Sequence, residues 1–282
     1  MNISTVAVIG AGVMGRGIAL VCARAGYATL LFDLNQEMLD QAAAYMQKFC
    51  SRSVEKGKMS EDEKQICIDR LAYTMDLSAC KADLIIEAVP ENLAIKQDVF
   101  RRLAEVNPMD IILASNTSTI PISRIASGIP GPDRIIGLHF FNPAPLMKLV
   151  EMIAGVETDD GLCDQLDSFV RSLGKIPVKT KDEPGFIVNR VARQFYLESL
   201  RCVEEGLAAP ETVDRIMESS GFRLGPFKLM DLIGIDTNHA VSQSMFAAFF
   251  QADRFRPSRL QQKMVDAGRF GKKNSKGFYE YL

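Results

Sequence analysis

Two sets of residues in this chain have types and spacing suited to chemistry. The first is a histidine and an acid: His139 in Ile135-Ile-Gly-Leu-His139-Phe-Phe-Asn142-Pro-Ala-Pro145, and Glu151 in Met147-Lys-Leu-Val-Glu151-Met-Ile153. Imidazole exchanges protons near neutral pH, and a neighbouring carboxylate fixes its tautomer and favours its charged form, which is the logic of an oriented general base. A histidine in an apolar strand is also an ordinary core residue, so the pair takes its meaning from its surroundings. The second set is Gly10-Ala11-Gly12-Val13-Met14-Gly15, preceded by Val6-Ala-Val-Ile and followed by apolar residues at helical spacing through Ile18, Val21, Cys22 and Ala25. Between a strand and a helix, such glycines provide a tight turn, close backbone approach to a pyrophosphate, and close packing of helix on strand. The helix amides and dipole then face the phosphates. Asp33 closes the next strand, where a carboxylate accepts hydrogen bonds from the ribose of NAD and repels the 2′-phosphate of NADP. A structural glycine turn without a ligand is the other reading. Dehydrogenation of an alcohol would use both sets, because it needs a hydride acceptor and a base for the hydroxyl proton.

Placing these residues together requires an α/β sheet. After Asp33 a helix is expected over 36–56, with Met38, Ala42, Tyr45, Met46 and Phe49 on one face and Gly57 as its stop. Ser60-Glu61-Asp62-Glu63 has the form of a capping box, so a second helix should run to about Arg70 and complete a helical hairpin. Lys56 and Lys58 suit either a solvated loop or a phosphate of a bulky substrate. Strands resume at 71–74 and 83–89, the second broken by Pro90-Glu91-Asn92. Glu91 therefore either meets the nicotinamide half of the cofactor or caps the helix over 92–106. A strand at 111–114 leads into Ser115-Asn-Thr-Ser118-Thr, which suits hydrogen bonding to a polar ligand or capping of the next segment. The short proline turn after His139 can set it beside Glu151 on the following strand. A helix over 160–173 and a strand over 176–179 close the first domain. Beyond Pro184 the period is helical, with expected helices at 186–206, at 210–220, and two within 229–250 joined at Gly234. The expected fold is α/β: a Rossmann-type doubly wound sheet with an inserted helical hairpin over 1–183, followed by an all-α domain over 184–282. Asn189, in the first turns of the long helix, either caps it or reaches a ligand. Dense Phe, Met and Leu in these helices suggest self-association.

The whole-chain properties narrow the function classes. A formal charge of −2 over 282 residues gives no bulk field toward nucleic acid or membrane. No apolar run approaches the roughly 18 residues of a membrane span, and no charged leader precedes the first strand, so a soluble, cytoplasmic, unprocessed protein is expected. Six cysteines without a Cys-x-x-Cys pair, and only two histidines, offer no zinc-type spacing, so no metal is expected.

Taken together, Gly10-Ala-Gly-Val-Met-Gly15, Ser115-Asn-Thr-Ser118, His139-Phe-Phe-Asn142-Pro-Ala-Pro, Leu149-Val-Glu151, Pro184-Gly-Phe-Ile-Val-Asn189-Arg and Gly271-Lys-Lys273 to Gly277-Phe-Tyr resemble the short-chain L-3-hydroxyacyl-CoA dehydrogenase family, of the 3-hydroxybutyryl-CoA type. The resemblance covers essentially the full length. It implies an NAD-dependent interconversion of L-3-hydroxyacyl-CoA and 3-oxoacyl-CoA, with His139 and Glu151 as the catalytic pair and Ser118 and Asn189 orienting the substrate. It also implies cofactor contacts at the glycine turn, Asp33, Glu91, Lys96, Ser118, Asn142 and Lys273, coenzyme A contacts at Lys56 and Ser118, and a homodimer formed through the C-terminal helices. Phe49 replaces a serine that some relatives use for coenzyme A. A sugar-acid (L-gulonate-type) dehydrogenase and a nucleotide-bound protein without turnover are the competing readings.

Overall fold

The computed structural model describes residues 3–281. The chain divides into two compact units between Glu183 and Pro184. The first begins with β1 (Thr5–Ile9), α1 (Val13–Arg24) and β2 (Ala28–Phe32), followed by a hairpin of α2 (Gln36–Glu55) and α3 (Glu61–Asp69). Then come β3 (Leu71–Thr74), β4 (Leu84–Glu87), α4 (Leu93–Val106), β5 (Ile112–Ser115), α5 (Ile122–Ala126), β6 (Ile135–Phe140), β7 (Leu149–Ala154), α6 (Leu162–Ser172) and β8 (Ile176–Lys181). One sheet takes all eight strands in the order β3-β2-β1-β4-β5-β6-β7-β8. Every neighbouring pair is parallel except β6 with β7. Chain direction across the sheet reverses between β1 and β4, and on open sheets ligands bind at such a point, outside the strands' carboxyl ends.

Burial explains why these segments are strands and where their polar residues must matter. Every residue of β4, β5 and β6 is buried. They are apolar apart from Glu87, Ser115 and His139, each at or next to the carboxyl end of its strand. Two glycines fix the turn that follows β1. Gly10 has φ +103°, and a Cβ at Gly15 would lie 1.7 Å from the Gly10 carbonyl oxygen. At the opposite edge Asp83 clamps the start of β1 to that of β4, accepting from the amide and hydroxyl of both Ser4 and Thr5 at 2.8 to 2.9 Å.

The hairpin forms for local reasons. Gly57 adopts φ +63° past α2, and Ser60 and Glu63 exchange the two hydrogen bonds of a capping box at 3.1 and 2.7 Å. The buried stripe of α2 is Leu39, Ala42, Met46 and Cys50, rotated slightly from the expected one. Tyr45 and Phe49 flank it, with the Arg16 and Arg24 guanidinium carbons 4.5 and 5.7 Å from their ring centres.

The second unit comprises α7 (Val188–Glu204), α8 (Pro210–Ser219), α9 (Pro226–Ile233), α10 (Ile235–Ala248) and α11 (Arg259–Asp266). Two fully buried aspartates organise it. Asp214 accepts the Phe227 and Lys228 amides at the start of α9 and the Tyr279 hydroxyl. Asp231 accepts the Phe278 and Tyr279 amides and the Tyr281 hydroxyl, so the tail is pinned to α9. All six cysteines are free thiols and five are buried. Among the described residues no helix is long and apolar enough to cross a membrane.

Candidate active site

β6 and β7 pair so that His139 and Glu151 are register partners. Directly opposed side chains on antiparallel strands lie on one face within contact distance, and here His139 Nδ1 is 2.8 Å from Glu151 Oε2. Both side chains are buried, 4% and 1% exposed. The Phe141 ring stands 4.4 Å from the imidazole and covers it. An imidazole held at Nδ1 by an acid has the arrangement of an oriented general base, in which the carboxylate can stabilise an imidazolium.

The loop after β5 is held by two carboxylates. Glu91 Oε1 accepts from the Thr117 hydroxyl, the Ser118 amide, and the Thr119 amide and hydroxyl at 2.7 to 3.2 Å. Burial raises the Glu91 carboxyl, but the Lys96 ammonium and these hydrogen bonds outweigh it and hold the group below its ordinary range. Glu87, fully buried at the end of β4, accepts from the Val89 amide, the Ser115 hydroxyl and Lys96. Its burial pushes the carboxyl up against the opposing pull of Lys96. Asn116 joins this loop to β6, its Oδ1 accepting from the Phe140 amide at 2.9 Å.

One of the two readings of Glu91 is set aside here, and Lys96 is seen in its surroundings. Glu91 does not cap α4, because Asn92 does so by accepting the Ala94 and Ile95 amides, while Glu91 turns to the 117–119 loop. Lys96, implied as a cofactor contact, is 1% exposed, and its ammonium is engaged by Glu87 and Glu91.

The residues present fit NAD. The α1 N-terminus has neither a side-chain cap nor an acid in its first turn, so its amides and dipole remain available to a phosphate. A Cβ at Gly12 would meet no protein atom within 4 Å, so the fold itself does not demand glycine there, whereas close approach of a pyrophosphate would. Asp33 stands just past β2, oriented by the Ala11 amide on Oδ2 at 2.8 Å and the Asn35 amide on Oδ1 at 3.0 Å. That leaves carboxylate lone pairs for a ribose diol.

Of the other expected residues, Ser118 is half-buried with its amide on Glu91, Asn142 is exposed after β6, and Lys56 is exposed at the end of α2. Asn189 and Lys273 belong to the helical unit. Asn189 is the second residue of α7, and Lys273 pairs with Asp236 beneath the Phe270 ring. Sequence reasoning passed over Glu87, and it offered the hydroxyls of Thr117 and Thr119 to a ligand or a cap where they bond Glu91 instead. The available signal for Glu87 was a lone acid at the carboxyl end of an otherwise apolar strand.

Comparison with known proteins places the whole chain in one family. Residues 5–183 match the family model described as 3-hydroxyacyl-CoA dehydrogenase, NAD binding domain, and residues 185–281 match the C-terminal domain of the same family. The 3-hydroxybutyryl-CoA dehydrogenase of Mycobacterium tuberculosis is 38% identical, with 99% of each chain covered. The 3-hydroxyadipyl-CoA dehydrogenase of Escherichia coli is 46% identical over all of this chain, which spans 60% of that protein's length. The solved (S)-3-hydroxybutyryl-CoA dehydrogenase of Ralstonia eutropha superposes over 100% of both chains with TM-score 0.95 at 35% identity. The chain belongs to the 3-hydroxyacyl-CoA dehydrogenase family, and its cofactor is NAD.

Proposed function

We propose that this protein interconverts an L-3-hydroxyacyl-CoA, with 3-hydroxybutyryl-CoA the reference substrate, and the matching 3-oxoacyl-CoA. The observation that carries the reading is the 2.8 Å contact of His139 Nδ1 with Glu151, on the sheet edge that also presents the glycine turn. When bound, NAD supplies the hydride acceptor. His139 takes the 3-hydroxyl proton at Nε2 during oxidation and returns it during reduction, and Glu151 stabilises the imidazolium. We assign Ser118 and Asn189 the orientation of the substrate's oxygens, which puts C3 in a near-attack geometry. Glu91, Lys96, Ser118, Asn142 and Lys273 are assigned to the cofactor, Lys96 through its hold on Glu91, and Lys56 and Ser118 to coenzyme A. The relatives' names span two acyl classes, a four-carbon monoacid and a six-carbon diacid, so the acyl class is a property to be found in this chain's own residues. The exposed apolar side chains Val191, Leu207, Ile216, Phe222 and Leu232 of the helical unit support pairing with a second copy through that unit.

The test is the oxidation of NADH by acetoacetyl-CoA, with NAD-dependent oxidation of L-gulonate as the control. Turnover of the thioester is expected. Turnover of L-gulonate alone, or tight NADH binding with no turnover of either compound, overturns the reading.

A further inference from the structure

Arg193 is a buried cation that the helical unit does not neutralise. It lies on α7 at 3% exposure. Its Nη1 donates to neutral acceptors only: Asn238 O at 2.8 Å, Asn238 Oδ1 at 3.2 Å and Ser242 Oγ at 3.0 Å. The Tyr196 ring covers it at 4.7 Å, and among the described residues no carboxylate pairs with it. Burial lowers its guanidinium to about 10. Two donors of this cluster, Arg193 Nε and Asn238 Nδ2, are buried without an acceptor. A glutamine could tie α7 to α10 through the same neutral acceptors without burying a charge, so tying helices together does not account for a guanidinium here. The cluster is rich in donors and carries a net positive charge, the chemistry that receives an anion.

Its position selects the anion. Asn189 precedes Arg193 by four residues, so both lie on one face of α7, about 6 Å apart along the axis. In the reading above, on which this inference rests, Asn189 holds an oxygen near C3 of the acyl chain. A chain that continues through three more carbons ends about 4 Å beyond C3, within the reach of an arginine one turn along. A carboxylate at that end would accept from a planar fork of guanidinium donors, the pairing to which arginine is best suited. We propose that Arg193 is a specificity-determining residue that receives the terminal carboxylate of a six-carbon dicarboxylic 3-hydroxyacyl-CoA.

The experiment compares kcat/KM of the full chain for 3-oxoadipyl-CoA and for 3-oxohexanoyl-CoA, which has the same length and lacks the second carboxylate, with acetoacetyl-CoA as reference. For the wild type we expect the diacid to be favoured by about 10- to 100-fold, the worth of one charge-assisted hydrogen-bonded pair. In Arg193→Met that ratio should fall to one or below, and Arg193→Lys should keep part of it. A wild-type ratio of one or less, or a ratio that survives Arg193→Met, overturns the proposal. If Arg193→Met does not fold, the wild-type ratio decides alone. Turnover of acetoacetyl-CoA without preference for the diacid removes Arg193 from this role and leaves the dehydrogenase reading standing. No turnover of any thioester removes both.

Discussion

Lys96 lies beneath Glu91, its ammonium 3.2 Å from Oε2, and the same ammonium is 2.8 Å from the fully buried Glu87. One cation therefore braces the end of β4 and the loop that carries Ser118. Removing it leaves a buried carboxylate without a counter-charge, a change that typically costs about 3 to 5 kcal/mol. Lys96→Met should show that loss in urea denaturation, and adding Glu87→Gln should recover most of it, because the uncompensated charge disappears with its partner. Additive losses in the double variant would show that the two residues do not act as a unit.

His139→Gln keeps a polar side chain of similar size but cannot take up a proton from the substrate. General-base catalysis is worth about 10² to 10⁴ in rate, and kcat should fall by that order while NADH affinity, read by fluorescence titration, stays close to that of the wild type. An undiminished kcat would remove His139 from the chemistry.

How much of this was readable in advance follows the range of the interactions involved. The capping box at Ser60 and the glycine turn at Gly10 are local, and the sequence placed both. The register of His139 with Glu151 was legible because the connection between their strands is short. The Arg193 contacts and the pinning of the tail by Asp231 join residues more than 40 apart in sequence, which periodicity does not reveal, and the Lys96 bridge depends on a lysine turning inward from a helix whose pattern reads as amphipathic. The helix α11 escaped for a related reason. It has only three apolar residues, Leu260, Met264 and Val265, and its buried residue is the polar Gln261.

Asp33 sets the cofactor preference if its carboxylate meets the ribose. Two backbone amides orient its carboxylate, and a negative charge at the ribose would repel the 2′-phosphate of NADP. The wild type should favour NADH over NADPH in kcat/KM by about 10- to 100-fold, the worth of a charge-assisted hydrogen bond, and Asp33→Ser should narrow that ratio. Equal use of both cofactors by the wild type would show that the carboxylate is not at the ribose.

Phe222 and Leu207 are 49% and 76% exposed on the helical unit, and apolar side chains of this size seldom stay in water when grouped. Sedimentation at micromolar concentration should give the mass of two chains, and charged substitutions at both positions should shift it toward one. A monomeric wild-type mass would refute pairing through this surface.

Asp83 predicts how stability depends on acid. The Ser4 amide first, together with the Thr5 amide and both hydroxyls, outweighs burial and draws its carboxyl down to about 2. A folded pKa below the unfolded value means that the native state holds the carboxylate more strongly than the unfolded chain does. Its contribution is therefore complete above about pH 4, the ordinary aspartate value, and is lost as pH falls through about 2. Asp83→Asn should lower stability by about 1 to 2 kcal/mol at pH 7, the range for hydrogen bonds to a charged group discounted for partial exposure. The gap between variant and wild type should close as pH falls from 4 toward 2. Urea denaturation of both proteins across that interval checks the sign, and a gap that widened with acid would show that the clamp between β1 and β4 does not draw its strength from the ionised carboxylate.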